Sequence, residues 1–128
     1  MKFYESGDSS KPVIFLFPGT CCLYSSFEHV LDGLHSYFYT ITVSYDGFDP
    51  NEKTEFYSME DECEKIDVPG TTIHVFYATK MGKKYEKRYC TYFKNPDIQR
   101  HNMQHEELFC CHSAEWVEEV RKAVEGDR

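Results

Sequence analysis

The chain has 128 residues, enough for one hydrophobic core and too few for two. A hydrophobic fraction of 41%, with ten Phe and ten Tyr, supplies that core, while a net charge of −8 opposes the counterion release on which nucleic-acid binding depends, so nucleic acid is excluded as a partner. The opening residues MKFYESGDSSKP lack a basic start and apolar stretch, and no run approaches the roughly 18 apolar residues of a membrane span; the expected compartment is the cytoplasm, with no membrane partner.

Four β-rich runs alternate with amphipathic segments. The first, Val13 to Phe17, leads through the glycine turn FPGTCC to a helix signal at Ser25, with Glu28 three residues on as in a capping box. Phe27, Val30, Leu31, Leu34 and Phe38 then make one apolar stripe. The second run, Thr40 to Tyr45, is followed by the polar turn DGFDPNEK and a shorter helix opening at Ser58, with Met59, Cys63 and Ile66 on one face. The third, Thr72 to Ala78, precedes a helical stretch in which Tyr85, Tyr89, Tyr92 and Phe93 share a face. NPD breaks the chain at residues 95 to 97, and the fourth run, around Ile98 to Met103, is polar enough for a sheet edge. The last helix starts at Ser113, buries Trp116, Val117, Val120 and Val124, and meets Gly126 as a C′ residue.

The six cysteines form no C-x2-C pair, and in a reducing compartment they read as free thiols. No cofactor is expected. The nearest metal-like set is His101 and His105 with Cys110, Cys111 and His112, whose spacing converges only if that stretch is helical, so no metal site is expected either.

Alternating strands and helices predict a parallel sheet with ligands outside the carboxyl ends of the strands. The loops in that position are Pro18 to Tyr24, Asp46 to Asp49, Lys80 to Lys83 and Met103 to His112.

The segments VIFLFPGTCCLYSSFEHVLDGL, YTITVSYDGFD and NMQHEEL resemble the α/β-hydrolase superfamily, in particular small bacterial hydrolases of unassigned substrate. Residues 12 to 66 are similar to the front of that fold and 70 to 124 to its end, within a single domain of residues 1 to 128. Between them the central strands are missing, and with them the G-x-S-x-G elbow that presents the nucleophilic serine. The resemblance implies a three-layer α/β fold with a four-stranded, mainly parallel sheet. Closing the gap gives the order 2-1-3-4, with helices on both faces. It further implies an ester or thioester hydrolase acting on a small ester or acyl ligand. Gly19, Thr20 and Cys21 would stand in the oxyanion loop and His105 in the place of the catalytic histidine.

The acid is absent from its family position, leaving Glu86 and Asp97 as poorly placed candidates. Cys21 or Cys22 offers an alternative nucleophile with His105 as base. A chain without nucleophile and acid keeps at most about 10³–10⁴-fold acceleration over water. The alternative to a hydrolase with little or no triad activity is therefore a non-catalytic remnant. Such a remnant binds a ligand or assembles as a homo-oligomer or by strand exchange, should its halves stay apart and expose strand edges. The join at EKIDVPGTT is also compatible with a shortened product of a longer hydrolase.

Overall fold

The computed structural model describes residues 1–19, 22–66, 72, 74–92 and 95–126. Thr20, Cys21 and Phe93 lie outside the described residues, as do the side chains of Met59, Cys63, Tyr85 and Tyr92. The chain divides into two compact units, Met1–Val68 and Pro69–Arg128.

The first unit is a three-stranded mixed sheet with one main helix. Strands β1 (Lys2–Ser6), β2 (Val13–Leu16) and β3 (Tyr39–Ser44) stand in the order β1-β3-β2. β1 runs antiparallel to β3, with Phe3 opposite Val43, and β2 runs parallel to it, with Phe15 opposite Ile41. Side chains alternate between the two faces. Ile14, Leu16, Thr40, Thr42 and Ser44 share one face with Tyr4 and Ser6; Val13, Phe15, Ile41, Val43 and Phe3 share the other.

Onto the first face fold a 3₁₀ turn, Tyr24–Phe27, and helix α1, Glu28–His35. Of the apolar stripe read from the sequence, Phe27, Val30, Leu34 and Phe38 are buried there and join Leu16 in the core, while Leu31 is half-buried. The buried hydroxyls of β3 are satisfied: Thr40 Oγ1 meets Ser6 Oγ at 2.8 Å and His35 Nε2 at 3.1 Å, and Ser44 Oγ accepts the Tyr24 N–H at 3.3 Å. Ser25 makes no side-chain cap, because the first turn is 3₁₀ and its entry is held by Ser44 instead. Gly7, at φ +98°, closes the turn after β1, where an added Cβ would stand 2.9 Å from the His35 ring. Helix α2, Met59–Glu64, is capped by Ser58, whose Oγ accepts the Asp61 N–H at 3.1 Å.

The second unit holds a two-stranded parallel sheet, β4 (His74–Ala78) and β5 (Asp97–His101), with His74 opposite Asp97. Helices α3 (Lys83–Tyr92), α4 (Glu107–Cys111) and α5 (Ser113–Gly126) accompany it. α5 buries Trp116, Val117 and Val120, and the Trp116 ring lies 5.2 Å from Phe109 and 6.1 Å from Phe76. α4 forms where a loop was expected. It opens on a positive φ of 58° at Glu106, and Glu107 Oε2 accepts the Gln104 N–H at 2.7 Å.

The expected four-stranded, mainly parallel sheet in the order 2-1-3-4 is not formed. The described strands make two separate sheets, and the first is mixed. Of the pairings that order requires, β2 with β3 and β4 with β5 form, between strands consecutive in sequence and joined by one helix, as most sequential strands do; the pairing of β2 with β4, which are not consecutive, is the one absent among the described residues. In addition, the unforeseen β1 takes the second edge of β3, held by Tyr4, whose ring stacks on Tyr24 at 3.7 Å and whose hydroxyl donates to Asp49. Among the described residues no helix is long and apolar enough to cross a membrane.

Candidate functional site

Several polar groups of the loop after β2 are engaged within the first unit. Pro18 is buried and its carbonyl accepts the Tyr45 hydroxyl at 3.1 Å. Gly19 is exposed, and its carbonyl accepts the Cys22 N–H at 3.0 Å. The Cys22 and Tyr24 N–H groups are thus engaged within the unit and do not face an incoming oxyanion. Thr20 and Cys21 lie outside the described residues.

His105 stands in the second unit, on the turn between β5 and α4 at the carboxyl ends of β4 and β5. The two loops there are tied by Lys80 N–H donating to the Met103 carbonyl at 3.3 Å. The imidazole is exposed, with Nδ1 3.2 Å from Met81 Sδ and Nε2 3.5 Å from Glu106 Oε1. In a triad the carboxylate orients Nδ1 and leaves Nε2 for the nucleophile; here the carboxylate lies on the Nε2 side.

Neither acid named from the sequence reaches this histidine. Glu86 bonds Arg100, its Oε1 accepting from Nε at 3.1 Å. Asp97 sits at the amino end of β5 and pairs with His74 Nδ1 at 3.0 Å. Its carboxyl is held below the usual carboxylate range by the Gln99 amide first and by His74 second. The His74–Asp97 pair escaped the sequence reading because it depends on the cross-strand register that sets those two residues opposite each other.

Cys22, Cys90, Cys110 and Cys111 are free thiols. Burial, Glu106 and Cys111 push the Cys110 thiol up, which favours the less nucleophilic protonated form. His101, His105, Cys110, Cys111 and His112 do not converge into a metal-holding group. The His101 Nε2 is buried without a hydrogen-bond partner, its ring stacked 6.0 Å from Phe76.

One group of metal-capable side chains does converge among the described residues: Asp46, Asp61 and Glu62, with ligand oxygens within 4.8 Å of one another. A cation of the chain already fills it. Lys65 Nζ lies 2.5 Å from Asp46, 2.6 Å from Asp61 and 2.7 Å from Glu62, and the Met1 amino group also pairs with Asp46. These partners, Lys65 foremost, lower the Asp46 carboxyl to about 2. Glu62 is fully buried, and its Oε2 accepts the Asp46 N–H at 3.3 Å. The signal for this network is visible in the sequence as Asp61 and Glu62 four and three residues before Lys65 on one helical turn. It fastens α2 to the end of β3 rather than presenting open ligand positions.

Comparison with family models, with curated proteins and with solved structures finds no match for this chain.

Proposed function

We propose that this chain is of α/β-hydrolase type, has lost triad chemistry, and acts by assembling through its open strand edges. The observation that carries the reading is the division of the described strands into two small sheets in which, among the described residues, β2 is bounded on one side only and β4–β5 stands as a pair. An edge strand presents a row of unpaired backbone groups, a ready template for pairing with another chain. The hydrolase ancestry rests on the quoted segments of residues 12 to 66 and 70 to 124. Loss of catalysis is supported by the missing elbow and by His105, whose Nε2 faces Glu106 rather than a nucleophile.

Two measurements test it. A panel of p-nitrophenyl esters, given to the wild type and to His105→Ala, is expected to show near-background turnover that is equal for both. Turnover well above background that His105→Ala abolishes would restore the catalytic reading. Light scattering is expected to give a mass above that of one chain, and a monomer at every concentration would remove the assembly reading.

A further inference from the structure

We infer that the edge of β2 left free among the described residues pairs with the same edge of a second copy of this chain, antiparallel, about a two-fold axis through Phe15. This rests on the assembly reading and gives it a surface and a partner.

The hydrogen-bond phase of β2 fixes what the edge offers. The Pro12 carbonyl accepts the Tyr39 N–H at 2.9 Å, and Val13 stands in register with Tyr39. Pro12, Ile14 and Leu16 therefore turn their backbone groups toward β3, and Val13 and Phe15 turn theirs away from it. The Phe15 and Phe17 rings stack at 6.2 Å and 10°, as residues two apart on one face do, so the alternation carries through Phe17. The two flanking prolines, Pro12 and Pro18, belong to the other phase, so the free edge keeps all its donors.

This edge also lacks the devices that protect strand edges. The opposite edge strand, β1, carries Lys2 paired with Glu52, and Glu5, which accepts the Tyr39 hydroxyl at 2.5 Å. β2 reads Val-Ile-Phe-Leu, with no charge and no internal proline. Its Val13 and Phe17 side chains are 54% and 41% exposed.

A second copy fits this edge without modification. With the axis at Phe15, that residue meets its own copy, and Val13 meets Phe17 of the second copy on either side. Every outward N–H and C=O of the three residues is matched in that register. Val13 and Phe17 cover each other across the junction, and no charge meets a like charge there, which matters in a chain of net charge −8. The product is one continuous sheet of two three-stranded halves. A four-residue edge buries little area, so a concentration-dependent dimer is expected.

Amide hydrogen exchange of the whole chain, followed over about a hundredfold range of concentration, tests the surface directly. The Val13, Phe15 and Phe17 amides are expected to slow by about tenfold or more on concentration, while Ile14 and Leu16, bonded to β3, stay protected throughout. Val13→Lys is expected to weaken self-association by at least about tenfold, and Tyr57→Ser, at a residue 75% exposed elsewhere in the unit, to leave it unchanged. A dimer whose Val13, Phe15 and Phe17 amides exchange freely would overturn this surface and leave the assembly reading standing. A monomer at every concentration would overturn both.

Discussion

The two units solve the same packing problem differently. In the first, β3 is paired on both sides, and its Thr40, Thr42 and Ser44 are buried under a helix whose stripe runs from Phe27 to Phe38, with Val43 buried on the opposite face. In the second, neither strand has a second partner among the described residues, Tyr77 is the buried residue of β4, and the core gathers on α5 around Trp116, Val117 and Val120. A central strand lets a small unit bury its backbone and its hydroxyls together. A two-stranded sheet leaves more of that work to its helices and aromatic rings.

The largest effect should come from Phe38→Ala, which empties a site only 2% exposed beneath β3. A loss of about 3–5 kcal/mol is expected, read as lower exchange protection of the β3 amides. Protection left unchanged would break the contrast, since the sheet would then not depend on that stripe. Next comes Val120→Ala on α5, with an expected loss of about 1–3 kcal/mol in the second unit. The single tryptophan, Trp116, reports it as a lower denaturation midpoint by fluorescence; a midpoint that stays put would show that α5 is not the centre of this core.

Acid sharpens the comparison further. The Asp46 carboxyl, near 2 in the folded chain against 3.8 ordinarily, contributes stability that is full above about pH 4 and lost as pH falls toward 2. The contribution is on the order of 1 kcal/mol for a partly exposed ion-pair network. Asp46→Asn should flatten the acid limb of first-unit stability, and an unaltered limb would remove the network from the account. The smallest effect is expected from Ser58→Ala, about 0.5–1 kcal/mol and confined to α2, detected as faster exchange at the Asp61 amide.

Much of the local structure was legible because it rests on short-range pattern. The runs at Val13 and Thr72 contain β2 and β4, those at Thr40 and Ile98 overlap β3 and β5 but begin one residue late, and the helix signals at Ser58 and Ser113 fall at the helix starts. β1 was not legible. Its Lys, Glu and Ser are poor strand formers, and it holds its place through Tyr4, which needs Tyr24 and Asp49, residues distant in sequence. The sheet order failed for the same reason, since pairing between strands is a long-range competition that periodicity does not register. For the candidate site, sequence located the loops at Gly19 and His105 but carried no information on the direction of the His105 nitrogens. The acids Glu86 and Asp97 were given away to Arg100 and His74 by strand and helix register.

Gly7 lies in an exposed turn, where substitution is ordinarily harmless. Any side chain there would require a left-handed backbone at φ +98° and would press on the His35 ring that bridges Ser6 to Thr40. In a survey of all single substitutions, position 7 should therefore stand out as intolerant among tolerant neighbours. Its variants would release the amino-terminal strand, leaving β3 with an open flank and the chain with a second adhesive border.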